Sequence, residues 1–232
     1  MLKKFFAPLA MAACLVSTVH AAGPVTINTN FMDGKSGWSA GFGDYPVGSE
    51  EFYELESGIR MLPTSIKFRS KSFLLSGNNH SDDLCMFMRK EVKGLLPNVR
   101  YKVKFSVTFA SSSPRDVVGV GGSPAITVKA GVSRKRPSTT GDDARLNIDK
   151  GNQSVGGKDA MVIGDTGVKV PLTPETYRLK TLTNAGKPFY FKTDASGKGW
   201  IFLGTDSGFE AKTSVYFTHV KVTLVPQVVR ID

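Results

Sequence analysis

The chain has 232 residues, a formal net charge of +10 at pH 7, two cysteines and three histidines. Its length allows one large domain or two small ones. Once an expected leader carrying Cys14 and His20 is removed, Cys85 is the single cysteine left, which excludes an internal disulfide. His80, His219 and Cys85 fall short of a recognisable zinc set.

Met1–Ala21 begins with Lys3 and Lys4, continues apolar from Phe5 to Val19 and ends Val19-His20-Ala21. This is the pattern of a secretory signal peptide cleaved after Ala21. The apolar run is broken by Pro8 and is shorter than the roughly 20 residues a membrane-spanning helix needs. Lipidation at Cys14, after Met11-Ala12-Ala13, is the alternative, although Met11 stands where Leu is usual and Leu15–Val19 continues the apolar run. No second apolar span follows. The mature chain, residues 22–232, is therefore expected to be a single exported domain, periplasmic or extracellular, without a transmembrane span. No Pro/Ser linker divides it.

The positive balance suits anionic glycans, lipopolysaccharide or nucleic acid, and equally plain solubility. Its one dense cluster, Arg134-Lys135-Arg136, has no aromatic residue interleaved. That favours a solvated loop over a nucleic-acid site.

Val25–Phe31 reads as a first strand, and Asp33–Trp38 as a turn that delivers a tryptophan. The glycine-rich stretch Gly41–Gly48 contains Phe42, Asp44, Tyr45 and Pro46. Such rings either stack on pyranose faces or seal one end of a sandwich. Glu50–Leu62 carries Glu50, Glu51, Glu54 and Glu56, but nothing fixes the facing spacing of a glycosidase pair. These carboxylates can instead face water, pair with cations or bind calcium.

Ile66–Leu75 reads as a strand and Ser76–Asp83 as the most polar loop. Leu84–Met88 is apolar on both faces, which marks a central strand with Cys85 as a core residue. After a turn at Gly94–Asn98, Tyr101, Val103, Phe105, Val107 and Phe109 alternate with Lys102, Lys104, Ser106 and Thr108. This is a strand with one buried and one wet face. It requires a sheet beside it and a second layer above it.

Ser111–Pro114 breaks the pattern. Val117–Pro124 is a glycine loop without the Lys-Ser/Thr that a phosphate cradle needs. Ile126–Val132 returns to strand. The long stretch Ser133–Asp159 reads as a functional or disordered loop, its Asp, Asn, Gln and Lys side chains suited to sugar hydroxyls or an ion, or alternatively to Asx turns. Met161–Gly164, Val168–Leu182, Phe189–Phe191 and Trp200–Gly204 supply further strands, with Thr205–Glu210 as a loop. The closing strand Ser214–Leu224 is expected to place Tyr216, Val220, Val222 and Leu224 on one face and His219 on the other. Regular strands separated by Gly/Asn/Asp/Pro turns predict an all-β sandwich or jelly roll.

Three segments carry a resemblance: Phe31-x-Asp-Gly-x-x-Gly-Trp38, Gly94-Leu-x-Pro-Asn-x-x-Tyr-x-Val-x-Phe105 and Val215-Tyr-Phe-x-x-Val-x-Val222. Their layout resembles the galactose-binding-like jelly rolls of carbohydrate-binding modules. The loops Ser76–Asp83, Asn147–Asp159 and Gly204–Glu210 are also similar to a group of bacterial exported proteins, a similarity that implies no activity. The jelly-roll resemblance implies glycan recognition through sandwich-end loops or a sheet face, often with a structural calcium.

The expected function is thus non-catalytic binding of a carbohydrate or other cell-surface polymer. Candidate contacts, chosen by loop position, are Trp38, Tyr45, Asn78, Asn79, His80, Asp82, Asp83, Asn152, Gln153 and Asp206. One alternative is a structural or adhesive envelope protein with a protein partner. Another is a hydrolase with an unrecognised site, although His80 beside Asp82 and Asp83 lacks a nucleophile elbow or oxyanion-hole motif. Joint exposure of Trp38, Phe42, Tyr45, Trp200 and Phe209 around a groove favours the glycan reading. Their separate burial favours the envelope reading.

Overall fold

A computed structural model describes residues 23–115, 125–171 and 175–227, none of them in an α-helix. One sheet has seven strands: β1 (Val25–Thr29), β3 (Glu56–Met61), β4 (Lys71–Asn78), β6 (Arg100–Ser111), β11 (Arg178–Thr183), β12 (Phe189–Lys192) and β14 (Lys212–Pro226). They run in the order β11-β6-β14-β4-β3, with β1 also on β14 and β12 also on β6. The second sheet has five strands, β2 (Ser39–Gly43), β5 (Leu84–Val92), β7 (Ile126–Ser133), β10 (Ala160–Asp165) and β13 (Gly199–Ser207), in the order β10-β7-β13-β5-β2. Every pairing between these strands is antiparallel, an isolated parallel bridge joins Pro114 to Val168, and the chain crosses repeatedly between sheets, as in a jelly roll. The all-β sandwich expected from the sequence is the observed fold. The signal-peptide and Cys14 readings, and the glycine loop Val117–Pro124, lie outside the described residues.

Strand β6 follows its sequence alternation. Tyr101, Val103, Phe105, Val107 and Phe109 are buried, and Lys102 and Lys104 face water. They meet Met86, Met88, Val128, Ala130, Ile201 and Leu203 of the opposite sheet in one core. Each buried Val, Leu or Phe there contributes about 1.5–3 kcal/mol by transfer from water.

The five-stranded sheet is covered on its outer side as well. Cys85, Phe87 and Phe202 point away from the main core and pack with Ile148 and Ala160 in a second cluster, the two phenyl rings 5.3 Å apart. The cover is the segment 134–159, which contains the small pair β8 (Thr139–Thr140) and β9 (Arg145–Leu146). Gly131 permits this close approach, because a Cβ there would lie 1.9 Å from the Asp159 carbonyl oxygen. The Asx turns that were one reading of this long loop are present. Asp149 accepts the N–H groups of Gly151 and Lys158, and Asp159 accepts that of Asp149.

The acidic stretch Glu50–Glu54 is a turn ahead of β3. Three expectations are corrected. Thr205–Ser207, expected to open a loop, continue β13 and place Asp206 inside the sheet. The strand expected over Ile66–Leu75 runs instead from Lys71 to Asn78, shortening the polar loop. A register shift between Phe217 and His219 adds a residue to β14, so Tyr216 lies on the outer face against Tyr177 while Val220, Val222 and Leu224 stay inside.

Candidate functional site

The two ends of the sandwich differ. At one, strands β2, β5, β7 and β13 bring together Gly43, Cys85, Thr127 and Asp206 through their registers. The loops that follow carry Asp44–Glu54, Asn79–Asp83, Gly141–Val155 and Gly208–Ala211. Several residues there hold a left-handed backbone without being glycine: Asp44 (φ 61°), Glu54 (49°), Asp82 (58°), Ala144 (47°) and Gln153 (41°). Conformations of this kind persist where surrounding contacts over-determine them, and they gather at binding sites.

Beneath these loops lies a charged cluster on the outer face of the five-stranded sheet. Lys129 and Asp206 are both fully buried. The Lys129 ammonium donates to Asp206 Oδ2 at 2.6 Å, to the Val155 carbonyl at 2.9 Å and to the Lys150 carbonyl at 3.0 Å. All three of its hydrogens have an acceptor. Lys150 Nζ sits 2.7 Å from the same Asp206 oxygen and 3.0 Å from Asp44 Oδ2. Burial alone would lower the Lys150 pKa, but the Asp206 and Asp44 carboxylates outweigh it and hold the amine above its ordinary range. Burial pushes the Cys85 thiol well up, with Asp206 adding to the effect.

Asp44, Cys85 and Asp206 offer donor atoms within 4.8 Å of one another. This grouping does not fit calcium. The Lys150 ammonium already lies between the two carboxylates, and a protonated thiol is a poor partner for a hard cation that takes oxygen ligands.

Outside the cluster, Asp44, Asp83 and Arg145 line two adjoining hollows. One, of about 270 Å³, also touches Ile148, Lys150 and Asn152. The other, of about 150 Å³, also touches Tyr45, Ser81 and Asp143. Arg145 Nη1 lies 3.5 Å from Asp44 Oδ1 and 4.0 Å from Asp83 Oδ2. Asp83 Oδ1 is buried without a hydrogen-bond partner. Burial, and then repulsion from Asp44, raises the Asp83 pKa to about 6.

An aromatic ledge borders the smaller hollow. Tyr45 packs on Tyr53 (5.6 Å), Tyr53 meets His80 edge-on (5.4 Å), and His80 stacks on Phe52 (4.1 Å). Phe52 is 65% exposed. The Tyr45 hydroxyl bonds Glu50, and its pKa is raised to about 12 by burial and by that carboxylate.

Most of the sequence-chosen residues meet at this end. Tyr45, Asp83 and Asn152 line the hollows, with Asp206 beneath them. Gln153 ties two of the loops by donating to the Asp82 carbonyl at 2.7 Å. Asn79 is buried and donates to the Ser207 carbonyl, and Asn78 donates to Glu54. Trp38 does not join them. It precedes the far end of β2, is buried against Phe31, and donates its indole N–H to Thr29 at 3.1 Å. Nor do the five named rings surround one groove: Trp38 and Tyr45 are buried, and Phe42, Trp200 and Phe209 are partly buried.

Sequence reasoning missed Arg145 and Lys150 as members of the site, and Phe52 as its exposed ring. The available signal was an unpaired aromatic in the acidic turn Glu50–Glu54.

No family model matches the chain, and no curated protein sequence matches it. Solved structures similar to it include TmCBM27, a carbohydrate-binding module described for mannan recognition, at 10% identity and TM-score 0.41, covering 89% of this chain and 100% of that one. The CBM22-1 xylan-binding domain of Paenibacillus barcinonensis Xyn10C is similar at 10% identity and TM-score 0.41, over 90% of this chain and 100% of that one. The K1 cleaved adhesin domain of Lys-gingipain from Porphyromonas gingivalis W83 is similar at 11% identity and TM-score 0.37, over 85% and 97% respectively.

Proposed function

We propose that this is an exported, non-catalytic binding protein that takes a carbohydrate or other hydroxyl-rich cell-surface polymer at the Asp44–Asp83–Arg145 end of the sandwich. Asp83 carries the reading. It is a partly buried carboxylate with an unpartnered oxygen, lining two hollows beside a guanidinium, the smaller of which also holds Tyr45, the inner ring of the aromatic ledge. Unmatched acceptors, a fixed cationic donor and an apolar ledge are the features that orient a sugar.

A hydrolytic reading needs two carboxylates facing each other across a bond. Asp83 has the raised pKa of an acid, but the Asp44 side chain is 5% exposed and engaged by Lys150 and Arg145. The two histidines of the mature chain are also engaged, His80 on Phe52 and His219 with Asn28. The envelope-protein reading is favoured by the separate burial of the five sequence-chosen rings.

The test is a glycan array followed by thermal-shift titration of the mature protein, with Phe52→Ala and Asp83→Ala alongside. A ligand at a hundredfold excess over its Kd stabilises by about 2.7 kcal/mol, and both substitutions should abolish the shift. No response to any glycan, or a response that survives both changes, sinks the reading. Release of shorter oligosaccharides would establish the hydrolytic one.

A further inference from the structure

We propose that a second surface, at the opposite end of the molecule, binds an anionic polysaccharide along a cationic track centred on Tyr190. The track begins where the pairing of β6 is interrupted. Strand β12 covers residues 100–103 on one edge of β6 and β11 covers 106–111, which leaves Lys104 and Phe105 without a strand partner on that edge. Asn184 closes the gap in place of a strand: its Oδ1 accepts the Phe105 N–H at 2.9 Å and its Nδ2 donates to the Val103 carbonyl at 3.0 Å. The turn that follows leaves a groove of about 530 Å³ lined by Lys102, Lys104, Lys187 and Tyr190.

Lys102 and Lys104 point outward two residues apart, about 6.6 Å by strand rise. Their ladder partners are Tyr190, Val225 and Thr223, none of them acidic. Among the described residues, neither these two lysines nor Lys187 and Lys192 have a carboxylate at salt-bridge distance. Uncompensated like charge on one face repels itself, and a polyanion relieves that repulsion.

Tyr190 also lines a second hollow, of about 240 Å³, together with Arg134, Lys158 and Lys192. The track therefore passes over Tyr190 from one sheet to the edge of the other. Asp159 is the acid in that lining, and it is bonded to the Asp149 N–H. The Tyr190 ring is 40% exposed, with the Arg100 guanidinium 4.1 Å from its centre. A held ring between rows of ammonium groups suits a sugar face whose carboxylate or phosphate substituents reach the lysines. A single-stranded nucleic acid would call for successive rings.

The experiment titrates the mature protein with polygalacturonate as the carboxylate probe and a phosphorylated lipopolysaccharide core oligosaccharide as the phosphate probe. Neutral galactan is the control and single-stranded DNA the competitor. At least one anionic glycan should bind, with affinity falling about tenfold or more between 50 and 200 mM salt. The Lys102→Ala/Lys104→Ala double variant and Tyr190→Ala should each weaken it about tenfold, with unchanged melting temperature because these side chains are exposed. Which probe binds identifies the anionic group. Undiminished binding by the double variant, salt-independent binding, no binding of either probe, or tighter binding of DNA than of both glycans overturns the proposal. Asp83→Ala should leave this binding intact, so failure here and failure at the Asp83 end are separable.

Discussion

Lys129 Nζ lies 2.6 Å from Asp206 Oδ2, and both side chains are fully buried, on adjacent strands of one sheet and beneath the long covering loop. The ammonium also holds two carbonyls of that loop, so the pair joins the loop to the sheet. A buried ion pair is weak evidence for net stability, but breaking one side of it is costly.

Asp206→Ala leaves the Lys129 and Lys150 ammonium groups without their shared carboxylate. The expected loss is about 3–5 kcal/mol, read as a lower midpoint in urea unfolding. Lys129→Met should cost less, because Asp206 keeps Lys150. An Asp206→Ala protein as stable as wild type would show that the cluster contributes nothing.

Asp83 sets a pH dependence. Its folded pKa of about 6 stands above the ordinary 3.8, so between those values the folded state binds more protons than the unfolded one. Stability from this group is therefore present at low pH and lost as pH rises through about 6. Asp83→Asn should flatten that part of the melting-temperature profile and melt higher than wild type at pH 8. An unchanged slope between pH 4 and 6 would contradict the assignment.

Cys85 reports on the covering loop. It is buried with a raised pKa, so an aromatic disulfide reagent should modify the native protein only slowly. In Gly131→Ala the new methyl group meets the Asp159 carbonyl and the Ala160 backbone. Labelling should then accelerate at least tenfold. Equal labelling rates would mean that the loop accommodates the methyl group.

Trp38 distinguishes packing from recognition. Trp38→Ala removes a buried indole and its bond to Thr29, at an expected cost of about 3–5 kcal/mol. Among molecules that remain folded, glycan selectivity should be unchanged. A changed selectivity would return Trp38 to the binding site.

The layers were legible in the amino-acid pattern. Alternation from Tyr101 to Phe109 placed one face of β6 on a core, and the two-sided apolar run Leu84–Met88 identified a covered central strand with Cys85 inside. Both are local patterns, because side chains on a strand alternate with a period of two. The one-residue bulge beside Thr218 was not legible, since it depends on the partners across the ladder, and it moved Tyr216 to the outer face. The site was legible only as a set of polar loops. Tertiary structure decided which of them share an end, sending Trp38 to the other and bringing Asp44, Asp83, Arg145 and Lys150 together from segments far apart in the chain. It also decided what the polar residues do. Asp206 in the sheet is fully buried with two ammonium groups on its Oδ2, while Asp83 at the rim is only partly buried and meets the Arg145 guanidinium at 4.0 Å, a difference of burial and neighbouring charge that no linear pattern encodes.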